Sequence, residues 1–186
     1  INEEKEIADP FLVSTLVDCP ELLYKATKIW INQFKNYKTQ NVSQSLKNQS
    51  KIKVGYYSAD FRDHPVGHLI AEMIETHNKS KFEIYGFYLG NKHKQNDYHH
   101  LRFKKAFTKF YDVSKMSDDE ISSLSKDINI QIAVDLMAHT GGHESRFGIF
   151  LRKCAPIQIN FLGYPGTSAS DKIDYIIADR TVIPEK

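Results

Sequence analysis

The sequence predicts an α/β domain of the Rossmann-like, doubly wound kind, in which helices cover both faces of a parallel sheet. From Lys51 onward, short apolar runs alternate with segments of 3.6-residue apolar periodicity, and this alternation is typical of βαβ units. The run at 82–89 is apolar on both faces, as a strand inside a parallel sheet requires. A Ser-Asp-Asp-Glu capping box at 117–120 marks the start of one of the covering helices.

The first fifty residues differ in character from the rest. Residues 10–37 are predicted to be helical, because Asp18 and Pro20 form a start signal with apolar residues at three- and four-residue spacing behind it. Residues 38–50 are polar and without periodicity, which is typical of a linker. The chain is therefore divided into a helical appendage with its linker, 1–50, and a main domain, 51–186.

The main domain is predicted to contain six strands and four helices. The strands are expected at 52–58, 82–89, 107–113, 130–136, 157–162 and 175–178, and the helices at 66–77, 95–105, 117–128 and 145–152. The aromatic pairs Tyr56/Tyr57 and Phe87/Tyr88 fall within strands, so we expect them in the core rather than on a surface that stacks nucleic-acid bases.

Composition narrows the classes of function. The chain has 186 residues, with 25 basic and 23 acidic side chains, and lacks the basic excess of a dedicated nucleic-acid or anionic-membrane binder. No apolar run reaches the roughly 18 residues of a membrane-spanning helix, and the polar start does not resemble a secretory signal. Cys19 and Cys154 could form one disulfide but have no metal or redox spacing. We expect a cytoplasmic protein and a piece of a longer polypeptide.

Three unusual loops are predicted to meet at one edge of the sheet. With the common strand order 3-2-1-4-5-6, ligands bind outside the carboxyl ends of the strands, where the order reverses between strands one and four. The loops that leave strands one, four and five are 58–65, 137–143 and 163–168. They carry three of the eight histidines, two adjacent glycines and several hydroxyl groups, which could form a binding site.

In the first loop, Pro65 suits the first position of a helix, which places His64 at the N-cap. The positive end of the helix dipole disfavours an imidazolium there, so a neutral ring is expected, suited to a sugar hydroxyl or an amide. The alternative is that His64 only caps the helix. His64 and His68 have a metal-like spacing but lack the Glu of an H-E-x-x-H motif and other clear ligands, and we expect no metal.

The other two loops allow both functional and structural interpretations. Gly141 and Gly142 could let backbone N–H groups cradle an anion, or could form an ordinary flexible turn. Asp135, at the end of its strand, is expected to anchor the loop. The run at 163–168 combines turn-forming residues with hydroxyl groups. The sequence lacks a Gly-rich dinucleotide fingerprint, a Walker A loop and a G-x-S-x-G elbow.

These loops resemble the N-terminal catalytic lobe of the protein O-GlcNAc transferase family, which includes the SPINDLY-like proteins. The similarity runs from about Lys51 to the end, and ADPFL at 8–12 resembles the lead-in of bacterial members. The segments that carry it are VGYYSADFRDHPVGHL (54–69), DLMAHT (135–140), APIQINFLGYPGTS (155–168) and DYIIAD (174–179). The sequence departs from the family pattern at two places. Ala138 stands where relatives usually have Gly, and the helical His of animal members has no counterpart near 123–127. The resemblance therefore assigns no catalytic base.

The resemblance implies a GT-B glycosyltransferase with two Rossmann-like lobes, of which this chain is one. It implies a UDP-GlcNAc sugar donor, a Ser or Thr hydroxyl of a protein as acceptor, no cofactor and no metal. The second lobe, and possible TPR repeats before Ile1, would be further parts of the whole protein. His64 is the candidate catalytic residue, near the donor sugar. The implied donor- and acceptor-binding residues are His64, His139, Thr140, Leu162, Gly163, Tyr164, Pro165, Gly166 and Thr167.

Two alternatives stay open at this stage. A Rossmann-like lobe could instead be a non-catalytic module that binds peptides or partner proteins. Another sugar-nucleotide enzyme, such as an epimerase, is less favoured because its Gly-rich fingerprint is missing. Within the transferase interpretation, the donor could carry fucose or another sugar in place of GlcNAc.

Overall fold

The fold was determined as a computed structural model that describes residues 8–34, 50–90, 97–141 and 145–184. Six parallel strands form one sheet in the order β3-β2-β1-β4-β5-β6. The strands are β1 (Ile52–Ser58), β2 (Phe82–Tyr88), β3 (Lys109–Asp112), β4 (Ile132–Asp135), β5 (Ile157–Phe161) and β6 (Tyr175–Ile177). The predicted fold class and strand order are confirmed, and the order reverses between β1 and β4.

Within the described ranges, six helices accompany the sheet, and their ends follow local signals in the sequence. They are α1 (Pro10–Leu16), α2 (Pro20–Asn32), α3 (Pro65–Glu75), α4 (Tyr98–Ala106), α5 (Asp118–Ile128) and α6 (Gly148–Leu151). Proline occupies the first turn of α1, α2 and α3, where its missing N–H costs nothing. The predicted capping box is present: Glu120 N–H donates to Ser117 Oγ, and Ser117 N–H donates to the Glu120 carboxylate.

Several elements were predicted to be longer than they are. The helical segment expected at 10–37 is interrupted at 17–19, where Cys19 is extended and precedes Pro20, because the helical conformation is disfavoured in a residue before proline. The predicted start signal at Asp18 and Pro20 is where α2 begins. Ile130 lies between α5 and β4 rather than in the strand, and its N–H donates to the carbonyl of Ser125, which caps the C-terminal end of α5. Parts of two predicted helices lie outside the described residues, namely 35–37 and 95–96. The same is true of the predicted linker apart from Ser50.

The sheet is covered on both faces, as a doubly wound domain requires. On one face, α3 and α4 bring Ile70 and Phe103 into a buried cluster with Phe61 of the β1 loop. On the other face, the second cluster includes Tyr57 and Phe87, whose rings stack with centroids 4.3 Å apart. The aromatic strand pairs are buried, so the predicted core role is confirmed.

The N-terminal helices pack onto this core rather than standing apart from it. Trp30 of α2 is 1% exposed and belongs to the same cluster as Tyr57. The Lys28 ammonium lies 3.3 Å from the carbonyl oxygen of Ala169, after β5, and Phe11 packs near the ring of Tyr164. The domain boundary at residue 50 stays a prediction, but α1 and α2 are integral to the packed structure.

Two further observations concern the cysteines and the helices. Cys19 and Cys154 are not joined by a disulfide, and burial raises the pKa of Cys154 to about 12, so this thiol is not nucleophilic. Within the described ranges, no helix combines the length and the apolar character that crossing a bilayer demands.

Candidate functional site

The loops after β1, β4 and β5 are in direct contact at the carboxyl edge of the sheet. The backbone N–H of Ala59, after β1, lies 3.1 Å from the Sδ of Met137, after β4. A Cβ added at Gly163, after β5, would lie 1.7 Å from the carbonyl oxygen of Leu136. The predicted convergence of the three loops is confirmed, and this close backbone approach is why position 163 accepts only glycine.

His64 caps the N-terminus of α3, as predicted. Its backbone is extended, and its Nδ1 accepts a hydrogen bond of 3.3 Å from the N–H of Val66. A neutral imidazole that accepts at Nδ1 carries its proton on Nε2, which leaves that N–H available to another partner. The side chain is one-third exposed (33%). His64 therefore combines a structural cap with an accessible hydrogen-bond donor.

A buried carboxylate supports the His64 loop. Asp60 Oδ1 accepts a hydrogen bond of 2.9 Å from the Arg62 guanidinium, and Asp60 Oδ2 lies 3.6 Å from His64 Nδ1. The N–H of Asp60 itself donates to the Ser58 hydroxyl at 2.9 Å. These contacts fix the turn between β1 and α3, and so the position of the His64 ring.

Asp135 anchors the loop after β4, as predicted. Its Oδ1 accepts hydrogen bonds of 2.9 Å from the backbone N–H groups of Met137 and Ala138. Its Oδ2 is buried with no hydrogen-bond partner among the described residues. Burial raises the pKa of Asp135 to about 6, against the lowering effect of the two N–H groups. Because the carboxyl is enclosed (2% exposed), it holds the loop rather than facing a ligand.

His139 is fully buried, which the sequence did not indicate. Its ring packs against Phe147 and Tyr164, with centroids 4.4 Å and 5.4 Å away. Its Nε2 lies 3.1 Å from the carbonyl oxygen of Ser168, so the neutral ring donates there. Burial lowers the pKa of His139 to about 4, and the ring is uncharged near neutral pH. His139 fastens the β4 loop to the β5 loop, and its predicted ligand contact stays a prediction.

Thr140 is half-buried and Gly141 is exposed in the loop after β4. The Thr140 hydroxyl donates to the carbonyl of Met137 at 2.9 Å, which closes the turn. Gly141 is exposed with a φ of 91°. The predicted anion cradle also needs Gly142, which lies outside the described residues together with His143.

The β5 loop alternates exposed and buried groups. Leu162 is 38% exposed, while Tyr164 is 2% exposed and burial raises its pKa. Pro165 is exposed, and Gly166 is half-buried beneath the Tyr164 ring. The Thr167 hydroxyl accepts a hydrogen bond of 3.1 Å from the N–H of Ala169. This contact gives the hydroxyl a structural role in the turn.

A cavity of about 830 Å³ borders this loop. Pro165, Gly166 and Thr167 line it, together with Asn160 at the end of β5, the α1–α2 junction and β6. The other six predicted residues do not line it. The structure therefore divides the predicted set: three residues face this cavity, while His64 and Leu162 offer exposed atoms elsewhere in the same loops.

Backbone conformations in the left-handed region concentrate in these loops. Among described non-glycine residues, five have positive φ, and three of them follow β4 or β5: Ala138 (47°), Leu162 (69°) and Ala169 (49°). Such conformations cost energy in non-glycine residues and cluster at binding sites. The positive φ at position 138 explains why glycine would suit this position, since glycine would not carry the cost that Ala138 does.

Two features of this region were not predicted. Asn160 is 3% exposed, its Nδ2 has no partner among the described residues, and it is paired with Asp135 in the sheet register. The sequence signal was that β5 alternates apolar residues with two polar ones, Gln158 and Asn160. The described donor atoms close enough to share a metal ion belong to Asp63, His68 and His99, none of which is in the predicted set.

A six-stranded parallel sheet with three loops meeting at its order-reversal point defines one Rossmann-like lobe. The family model of glycosyl transferase family 41 matches residues 24–186, and the chain belongs to that family. The resemblance seen in the loop motifs is thereby confirmed.

Relatives and solved structures agree with this assignment. The chain is 34% identical over 134 residues to the probable UDP-N-acetylglucosamine–peptide N-acetylglucosaminyltransferase SEC of Arabidopsis thaliana, covering 72% of this chain and 13% of that protein. It is 32% identical over 144 residues to the UDP-N-acetylglucosamine–peptide N-acetylglucosaminyltransferase of Caenorhabditis elegans, covering 75% and 12%. A mutant O-GlcNAc transferase of Thermobaculum terrenum matches with a TM-score of 0.79 and 25% identity, over 90% of this chain and 32% of that one.

Proposed function

We propose that this chain is the N-terminal catalytic lobe of a protein O-GlcNAc transferase, which moves GlcNAc from UDP-GlcNAc to Ser or Thr hydroxyls of proteins. Membership of glycosyl transferase family 41 and the names of the relatives support the reaction class. The observation that carries the assignment is the contact of three loops at the order-reversal point of the sheet. A ligand site is expected there in open parallel sheets.

In this proposal, His64 contacts the donor sugar. Its Nδ1 is occupied by the Val66 N–H, so the Nε2 proton is directed to a hydroxyl or to the acetamide carbonyl of GlcNAc. The α3 cap and Asp60 fix the ring before the sugar arrives, which lowers the orientation part of the barrier. This is the role of the candidate catalytic residue; the base that accepts the acceptor proton is not assigned.

The β5 loop forms the second part of the sugar site. Leu162, Gly163 and Pro165 present backbone and apolar surface to the sugar, while Gly166 and Thr167 lie nearer the acceptor. His139 and Tyr164 act from beneath as positioning residues, since both are buried. Thr140 borders the same cleft from the β4 loop.

The reaction would be an inverting displacement at the anomeric carbon. The acceptor oxygen forms the new glycosidic bond as the bond to the UDP oxygen breaks, and the hydroxyl proton passes to a base. Donors on the second lobe would stabilise charge on the departing diphosphate, with no catalytic metal or cofactor. With one wall of the cleft, the isolated 186 residues would show no measurable transfer.

The proposed cellular setting follows from the same assignment. The protein would act in the cytoplasm on protein or peptide acceptors, joined to the second catalytic lobe, with TPR repeats as a further candidate segment before this chain. Whether the donor carries GlcNAc or fucose is decided by a panel of UDP and GDP sugars offered to the full-length protein.

The experiment compares binding of UDP-GlcNAc and UDP by the full-length protein carrying His64→Ala or His64→Asn. Asparagine is a strong N-cap residue, so His64→Asn keeps the α3 cap and removes the imidazole. Both variants should lose affinity for UDP-GlcNAc by about 10-fold, the effect of one hydrogen bond of about 1.4 kcal/mol, and should bind UDP normally. Equal losses for both ligands, or no loss in His64→Asn, would contradict the sugar contact.

A non-catalytic peptide-binding role is the second candidate, favoured by the cavity beside Pro165–Ser168. That function needs no sugar nucleotide. Peptide binding by the full-length protein, without discrimination between UDP-GlcNAc and UDP and without transfer, would favour it over the transferase.

A further inference from the structure

We propose that Asp63, His68 and His99 form a binding site for Zn²⁺ or a similar divalent transition-metal ion, distinct from the proposed sugar site. One ligand atom from each residue lies within 4.8 Å of those of the other two. The three residues come from different elements: Asp63 from the β1 loop, His68 from the first turn of α3, and His99 from the first turn of α4. The fold, rather than the local sequence, brings them together.

The contacts within this cluster, here called the Asp63–His68–His99 cluster, are close. His68 Nε2 lies 2.8 Å from Asp63 Oδ1. The rings of His68 and His99 meet edge to face, with centroids 4.3 Å apart. Small rotations of exposed side chains, of which His68 is 51% and Asp63 71% exposed, would bring the three atoms to the roughly 2 Å metal–ligand distances of a zinc site.

His99 supplies an independent indication of a ligand. Its Nδ1 is buried and has no hydrogen-bond partner among the described residues. A buried polar nitrogen without a partner is costly and rare in native structures. A metal ion bound by the cluster would remove that cost if Nδ1 is the ligating nitrogen.

The chemistry of the cluster favours zinc over magnesium or calcium. Two imidazoles and one carboxylate, with an open fourth position, suit Zn²⁺, Co²⁺ or Ni²⁺, whereas Mg²⁺ and Ca²⁺ prefer oxygen ligands alone. The surroundings add negative charge, because the Asp97 carboxylate accepts from the Asp63 N–H at 3.2 Å. The nearby Arg62 guanidinium is paired with Asp60 at 2.9 Å.

A bound ion would clamp α3 to α4 at their N-terminal ends. At the other end of α3, Glu75 and Arg102 already join the two helices through two hydrogen bonds of 2.6 Å. Because Asp63 directly precedes His64, the clamp would also fix the β1 loop. The ion is structural in this proposal, and the transfer reaction does not pass through it.

The test is a titration of the metal-free 186-residue chain with Co²⁺, followed by visible absorption, and with Zn²⁺, followed by calorimetry. We expect one ion per chain, Co²⁺ bands that Zn²⁺ abolishes, and no heat with Mg²⁺. His68→Gln and His99→Gln should each weaken binding by at least about 10-fold. Added Zn²⁺ should raise the thermal unfolding temperature of the parent chain but not that of the two variants.

His77→Gln is the matched control, since His77 contacts Tyr56 at 3.0 Å and is outside the cluster. It should bind metal as the parent does. The proposal is overturned if the parent binds no Zn²⁺ at millimolar concentration. It is equally overturned if His68→Gln and His99→Gln bind as tightly as the parent, which would place the ion on other histidines.

Discussion

Two buried groups at the end of β4 are expected to make opposite contributions to the pH dependence of stability. The pKa of His139 is about 4 in the folded protein, against about 6.5 in an unfolded chain. Its contribution is fully present above pH 6.5 and is lost as the pH falls towards 4. The pKa of Asp135 is about 6, against about 3.9 unfolded, so its contribution is present below about pH 4 and is lost as the pH rises through 6.

The magnitudes are similar, so the two effects nearly cancel. A shift of about 2.5 pKa units for His139 corresponds to about 3 kcal/mol of unfolding free energy, at 1.36 kcal/mol per unit. The shift of about 2 units for Asp135 corresponds to about 3 kcal/mol with the opposite sign. The contributions of this pair should therefore leave the parent chain with little net change between about pH 4 and about pH 7.

Replacing one member should expose the other. In His139→Gln, the amide can still donate to Ser168, but the titration is gone, so stability relative to the parent should fall by about 3 kcal/mol as the pH rises from about 4 to about 7. The assay is urea unfolding at a series of pH values, with the free energy difference plotted against pH. The reasoning would be refuted if the stability of the variant relative to the parent did not change with pH, or if it increased as the pH rose.

Three further predictions concern the same loops. Asp135→Asn should show the mirror-image pH profile, gaining about 3 kcal/mol over the parent as the pH rises from about 4 to about 7.5; a profile parallel to that of the parent would contradict the buried-carboxyl account. Ala138→Gly should raise the unfolding free energy by about 0.5–1 kcal/mol by relieving the left-handed backbone, and a loss in urea unfolding would argue against strain there. Gly163→Ala should cost at least about 3 kcal/mol because its Cβ would collide with the Leu136 carbonyl. Gly55→Ala is the control for that last change, since its Cβ meets only side chains at 3.1 Å, and an equal cost in both would refute the backbone-clash explanation.

The fold followed from the sequence where local signals and apolar patterns agreed. The strand order, the Ser117 capping box and the His64 cap were all predictable, because each depends on residues close in the chain or on a strong topological rule. Asp135 was also predictable as an anchor, since an acid at a strand end readily accepts from the N–H groups that follow.

The rest of the site depended on tertiary packing. His139 has the sequence context of an exposed loop histidine, yet Phe147 and Tyr164 enclose it. The linker suggested that the N-terminal helices stand apart, but the apolar stripe around Trp30 covers one face of the sheet. No metal was expected at His64 and His68 from their spacing; His64 caps α3, whereas His68 contacts Asp63 and lies beside His99 of α4, a neighbour that only the fold provides.

The central proposal is tested most directly by sugar transfer itself. The full-length protein is incubated with UDP-GlcNAc and an acceptor protein, and mass spectrometry measures GlcNAc on Ser and Thr side chains. We expect modification by the parent protein and its strong reduction in His64→Asn, in which asparagine should keep the α3 cap and the unfolding free energy. No transfer from any UDP or GDP sugar by the folded protein, or transfer undiminished in His64→Asn, would contradict the proposed function or the role of His64, respectively.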